Sequence, residues 1–302
     1  RRLLCDAFID LLICECLTIA SARSIHVVPE QMSLRSAVAK YLVPTMVEKL
    51  LKSLSVVLGA RQYLRQEHCD GVFQKVYRDN AILSLFDGST VVNLHAIVIQ
   101  LGHLTRRVES TKEREAELSD QLKRIFSLTE PLPDFDPAAL TLHNRGRDSI
   151  LQGFALSLEK LSSLSSIAPE DTQHGATLAL IENRARAILS EVESQREFIM
   201  ASLRDSGFNK SPEMFEQAER YCLLEAAACC VHLWVYNRER LGEFFGRGDW
   251  LVLSLERLLV RLGQRRAVLP AEHEQRVAEE MQRLYQDEQL FSLVPFQLAP
   301  RN

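Results

Sequence analysis

Between Phe86 and Thr90 the chain sets an acid, a glycine and two hydroxyl residues in succession, Phe86-Asp87-Gly88-Ser89-Thr90, with apolar runs on both sides. Gly88 can take a left-handed conformation and so end the helix expected over residues 71–86. Ser89 or Thr90 then caps the next helix. Asp87 is thereby expected at a helix C-terminus, where the dipole disfavours negative charge. Burial among Leu85, Phe86 and Val91 would push its pKa up further. A carboxylate made more basic in this way suits proton abstraction. The same residues also describe an ordinary corner between helices, where aspartate is a common turn residue. Residue chemistry alone leaves both readings open.

The other residues capable of chemistry favour structure over catalysis. His95 and His103 are eight apart on one expected helix, with no Glu or Cys to complete a metal set. The seven cysteines are odd in number, lack ligand spacing and have apolar neighbours. They predict reduced core thiols and no disulfide, in a cytoplasmic compartment or another reducing one such as the mitochondrial matrix. Trp234, Tyr236 and Trp250 are expected as packing anchors. Arg257, Arg261, Arg265 and Arg266 beside Leu258, Leu259 and Leu262 suggest a basic amphipathic face, for which a solvated surface is the preferred expectation over an anionic membrane. Nucleophilic serine, nucleophilic cysteine and phosphate-loop motifs are missing.

Composition narrows the class. Of 302 residues, 46% are hydrophobic and 25% charged, the balance of a folded chain with a sizeable core. A formal net charge of −4 excludes a global basic field for nucleic acid. Asp10 and Glu15 interrupt the most apolar N-terminal stretch, so membrane contact is not expected. The chain opens without Met and already in helical rhythm, which reads as the C-terminal part of a longer protein.

Helical periodicity dominates, and no period-two strand pattern stands out. The expected fold is all-α: an up-and-down helical bundle over residues 1–108, a charged helix and proline-rich linker over 109–139, and a second helical bundle over 140–302. Pro29 should end the first helix, Pro44 should kink the second, and Gly59 should sit in the turn that follows. Ser211 and Pro212 mark a helix start.

The stretch Arg78-Asp79 through Asn93 resembles the C-terminal signature of the acyl-CoA dehydrogenase family, with Arg78, Asp79, Ile82, Phe86, Gly88, Ser89 and Asn93 at matching places. Ala39-Lys40 resembles an Ala-Lys pair on an upstream family helix. Residues 56–63 occupy the place of a glycine-rich loop, with Val56 at its Gln, Gly59 and Ala60 at its Gly pair, Gln62 at its last Gly and Tyr63 at its Tyr. The resemblance covers residues 1–105. Residues 140–302 are similar, in placement and helical character, to the extra C-terminal bundle of very-long-chain members, which favours dimers.

The resemblance implies an FAD-dependent oxidoreductase that desaturates an acyl chain between its α and β carbons, on CoA or on an acyl carrier protein. Asp87 stands where the family has a glutamate base. Gly59, Arg61, Gly88, Ser89 and Asn93 stand where the family meets its flavin, and Arg61 adds a charge opposite phosphate. Implied partners are a second copy of the chain, as a homodimer or larger homo-oligomer, and an electron-accepting flavoprotein. Asp87 is one methylene shorter than glutamate, a loss of reach of about 1.5 Å. Ala60 and Gln62 replace two glycines of the loop. These departures keep two alternatives in view: a member without catalysis that serves as an assembly scaffold, and a flavin oxygenase of the same fold.

Overall fold

The structure, a computed structural model, describes residues 1–66, 68–86, 88–105, 111–167, 172–203 and 211–299. Among them every regular element is helical, and the one β contact is an isolated bridge between Gln289 and Gln297. Twelve α-helices are described: α1 (Arg2–Val27), α2 (Met32–Leu58), α3 (Val72–Ala81), α4 (Thr90–Leu104), α5 (Lys112–Phe126), α6 (Ser149–Gln152), α7 (Phe154–Ile167), α8 (Gln173–Ser202), α9 (Pro212–Asn237), α10 (Gly242–Arg247), α11 (Asp249–Arg261) and α12 (Ala271–Gln286). The all-α bundle expected from periodicity is the observed architecture.

Helix α9 is the axis. Its residues 226–234, from Ala226 through Cys229 and Cys230 to Trp234, are all fully buried. A helix apolar on every side belongs at the centre of a fold. Its run of three alanines and two cysteines keeps side-chain volume small, so neighbours can approach closely. It packs against α1, α2, α4, α5, α6, α7, α8, α10 and α11. Helix α1 in turn packs on α2, α5, α9, α11 and α12. One continuous core therefore runs from Phe8 to Leu293, across the boundaries expected at 109 and 140.

The segment read as a linker is tied into this core. The apolar seam of α5 buries Leu118, Leu122, Ile125 and Phe126. From α1, the Arg23 guanidinium donates to the carbonyls of Ile125 (2.8 Å), Arg124 (2.9 Å), Ser127 (2.8 Å) and Glu130 (3.0 Å). That satisfies the orphan carbonyls at the end of α5 and places a cation at the negative pole of its dipole. Pro29 ends α1, as expected, and opens a short 3-10 turn. Helix α2 continues through Pro44, where the Thr45 hydroxyl donates to the Tyr41 carbonyl at 2.7 Å.

Two charge clusters lie inside the bundle. Arg35 of α2, 1% exposed, pairs with Asp148 (2.6 Å) and with Glu225 of α9. Asp148 also accepts from the Tyr221 hydroxyl and caps α6 through the amides of Ile150 (3.1 Å) and Leu151 (3.3 Å). Removing one partner from such a group leaves a charge buried without an answer, at a cost of about 3–5 kcal/mol. The second cluster joins α1 to α11. Asp10, 1% exposed, receives both Arg257 (2.6 Å at each oxygen) and Arg261 (2.8 and 2.9 Å), while Asp6 lies 3.3 Å from Arg257. Two acids thus balance two arginines. The solvated face expected around Arg257 is corrected accordingly: Arg257 and Arg261 clamp α1, and only Arg265 and Arg266 are left exposed.

His232 lies fully buried on α9, its Nε2 donating to the Ile150 carbonyl at 3.0 Å and its Nδ1 accepting from the Ser157 hydroxyl at 2.7 Å. Burial pulls its pKa down from 6.5 to about 4. The unfolded chain therefore takes up this proton before the folded one does. The cost is absent above pH 6.5 and grows by about 1.4 kcal/mol per pH unit as the pH falls toward 4. Urea denaturation of the parent and His232→Gln should give a stability gap that narrows between pH 7 and pH 5. A gap independent of pH would refute the assignment.

Candidate functional site

The corner between α3 and α4 is built from backbone groups and short polar side chains. Helix α3 stops at Ala81, short of the expected end, and turns fill residues 82–86: Leu83 N–H reaches the Asn80 carbonyl (3.0 Å), and Phe86 N–H the Ile82 carbonyl (2.9 Å). Gly88 has φ +91°, in the region that disfavours a side chain. Ser89 is the N-cap of α4, its hydroxyl accepting from Val92 N–H at 3.5 Å. Thr90 ties α4 back to the turn, donating to the Ser84 carbonyl from its amide (3.1 Å) and its hydroxyl (3.3 Å). Asn93, 7% exposed, completes the corner by donating to the carbonyls of Gly88 (2.7 Å) and Ser89 (3.2 Å).

Asp87, the expected base, lies outside the described residues. Its neighbours correct the premise on which its basicity rested. Leu85 is 77% exposed, Phe86 69% and Val91 64%, so the apolar shell expected to bury the carboxylate faces solvent. The reason is the packing of the two helices. On α3 only Asn80 is buried, whereas α4 sinks into the core from Asn93 onward through Leu94, Ile97, Val98 and Leu101. The terminus of α3 also lies several residues before the acid, and a helix dipole acts only within its last turn. Among the described residues, the chain supplies a hydrogen-bonded turn flanked by exposed apolar side chains.

Gly59 and Arg61 lie on the 3-10 turn Gly59–Tyr63, which follows α2 and packs against α3. Gly59 has φ +59° and open space where a Cβ would stand. Arg61 is exposed, with no ion-pair partner among the described residues. An open glycine next to a free guanidinium fits the phosphate edge of an anionic dinucleotide such as FAD. Ser89, at the N-terminus of α4, fits a polar neighbour of such a group. The Asn93 amide is spent inside the corner, so its contribution is to hold Gly88 and Ser89 in place.

The remaining candidates are structural. His103 is exposed, and His95 stacks on Phe215 with ring centroids 6.4 Å apart. Among the described residues no group of three His, Cys, Asp or Glu side chains could hold a metal. All seven cysteines are free thiols, with Cys69 alone exposed. Burial pushes Cys14 up to about 12 and raises Cys16, Cys222 and Cys229 as well, which leaves these thiols protonated and inert. Trp234 and Trp250 are packing anchors, as expected: both are fully buried and both donate to the Phe245 carbonyl at 3.1 Å. The sequence reading missed the Arg35–Asp148–Glu225 cluster, whose members are too far apart in the chain to form a motif. Comparison with family models, with curated proteins and with solved structures gave no match.

Asn93→Ala should loosen the corner without touching the central core. The expected loss is about 1–2 kcal/mol, for two hydrogen bonds of ordinary strength. Equilibrium denaturation checks the magnitude, and amide hydrogen exchange at residues 88–92 should quicken. Unchanged exchange there would mean that Asn93 does not hold the turn.

Proposed function

We propose that this chain is the C-terminal part of a flavin-dependent acyl thioester dehydrogenase, acting on an acyl-CoA or an acyl-carrier-protein thioester by α,β-desaturation. The observation that carries the reading is the corner itself. The signature residues Gly88, Ser89 and Asn93 meet in one hydrogen-bonded turn, on both sides of which Leu85, Phe86 and Val91 offer apolar surface.

In this reading Asp87 removes the α-proton of the thioester. A bound FAD would supply the acceptor for the β-hydrogen, which leaves as hydride. Gly59 and Arg61 would hold the phosphate edge of that cofactor, Ser89 would contribute a hydroxyl beside it, and Asn93 would hold Gly88 and Ser89 in place as the proton transfers. The exposed collar then has a purpose. An acyl chain laid across Leu85, Phe86 and Val91 excludes water from the carboxylate and makes it more basic only once substrate has arrived. A second copy of the chain and an electron-accepting flavoprotein are the partners implied.

Anaerobic titration of the flavin-loaded protein with acyl-CoAs of several lengths tests this. The yellow flavin band should bleach in the parent and stay unbleached in Asp87→Asn, because the β-hydride cannot leave while the α-proton is held. Equal bleaching in both would remove Asp87 from the role. No bleaching with any thioester would remove the dehydrogenase reading.

A further inference from the structure

Between α1, α11 and the start of α12 lies a cavity of about 130 Å³. Helical spacing builds its walls. Leu253, Glu256, Arg257 and Val260 stand three or four apart on α11 and share one face. Helix α1 supplies Cys5, Asp6 and Ile9. Arg261 at the end of α11, Arg266 and Leu269 from the loop that follows, and Glu274 from the first turn of α12 complete the lining. Ile9 is buried, and Leu253 and Leu269 are half-buried, so the cavity has an apolar side as well as a charged one.

Most polar groups of this lining are already engaged. Arg257 and Arg261 hold Asp10, and Arg257 also holds Asp6. Glu256 accepts from Arg184 Nε at 2.8 Å and from the Ala267 amide at 2.5 Å, which pins the loop next to Arg266. The Cys5 thiol donates to the Glu274 carbonyl at 3.8 Å. Two charged side chains are left over. Arg266 and Glu274 have no ion-pair partner among the described residues, and they do not bridge to each other although they line one cavity. Elsewhere on the surface Lys75 pairs with Asp79 and Arg283 with Asp287. Glu274 is also half-buried, and a carboxylate withdrawn from water is costly without a partner. The positive pole of α12 favours an acid in its first turn, but Glu272 supplies one there at an exposed position.

An unanswered cation and an unanswered anion on the walls of one small, partly apolar cavity match a ligand with both charges and an apolar body. We propose that this cavity binds a free α-amino acid with a small apolar side chain, its carboxylate on Arg266, its ammonium on Glu274 and its side chain against Ile9 and Leu269. A guanidinium takes a carboxylate in a two-point contact. Size agrees, because a cavity of about 150 Å³ takes benzene, and a branched aliphatic side chain is smaller than that ring. A fatty acid would leave Glu274 unanswered, an alkylamine would leave Arg266 unanswered, and a nucleotide is too large. The site is separate from the α3–α4 corner and does not depend on the function proposed for it.

Calorimetric titration of the 302-residue chain with L-valine, L-leucine, isovalerate and isobutylamine tests it. At least one of the two amino acids should bind. Isovalerate and isobutylamine should each bind about tenfold more weakly, since each lacks one charge-assisted contact. Glu274→Gln should weaken the amino acid by about tenfold and leave isovalerate unchanged. Arg266→Gln should weaken the amino acid and isovalerate alike and leave isobutylamine unchanged. Both variants should melt like the parent, because neither side chain has a partner to lose, and the opposite ligand patterns separate recognition from a general loss of structure. A parent that binds neither amino acid, isovalerate or isobutylamine binding as tight as that of the amino acid, or amino-acid binding that survives either substitution would each overturn the proposal.

Discussion

A guanidinium placed at the centre of a helical core has to be answered there, because desolvating it costs several kcal/mol. Arg35 is answered by Asp148 and Glu225, and the consequences spread outward. Asp148 can reach it only if α6 begins where it does, which brings the two amides it caps into line. Glu225 can reach it because α9 packs against both α2 and α6. The Gln31 amide next binds the Ser149 hydroxyl and backbone, at 2.8 and 2.9 Å, and Ser149 donates to Gln121 of α5 at 2.6 Å. One buried charge thereby sets the relative placement of α2, α5, α6 and α9. Apolar packing is non-directional and would tolerate a slide or a rotation that this network forbids.

The same packing leaves the candidate site at the edge. Helix α4 enters the core at Leu94 and is held there against α2 and α9. The turn before it projects outward, locked by Asn93 and Thr90 to its own backbone instead of to the core. Such a corner keeps its shape without needing burial. It can therefore leave Leu85, Phe86 and Val91 open to a ligand or a covering surface, at the ordinary cost of exposed apolar area. The exposed apolar side chains of the turn, Leu85 and Phe86, and of the first turn of α4, Val91, are thus distinct from those that α4 buries from Leu94 onward.

How much of this was legible in the sequence follows from the range of the interactions. Local physics was readable: Pro29 stopping α1, Gly59 ending α2, Ser89 capping α4 and Pro212 opening α9 each act within a few residues. The burial of Trp234 and Trp250 could be read from residue type. Arg257 and Arg261 were misread because their partner Asp10 lies some 250 residues away, and a basic stripe beside leucines looks the same whether it faces water or another helix. The collar around Asp87 was misread for a related reason. Apolar residues next to an acid predict burial only if the helices carrying them are themselves covered, and α3 buries little beyond Asn80.

In the proposed reaction the α3–α4 corner presents a base to the α-carbon of an acyl thioester. The most direct measurement is the exchange of the α-protons of an acyl-CoA for deuterium in heavy water, followed by mass spectrometry on the flavin-loaded protein without an electron acceptor. Enzyme-dependent exchange is expected in the parent, lost in Asp87→Asn and slowed in Phe86→Ser, which removes part of the exposed apolar surface. Exchange that is absent in the parent, or undiminished without the carboxylate, would contradict it.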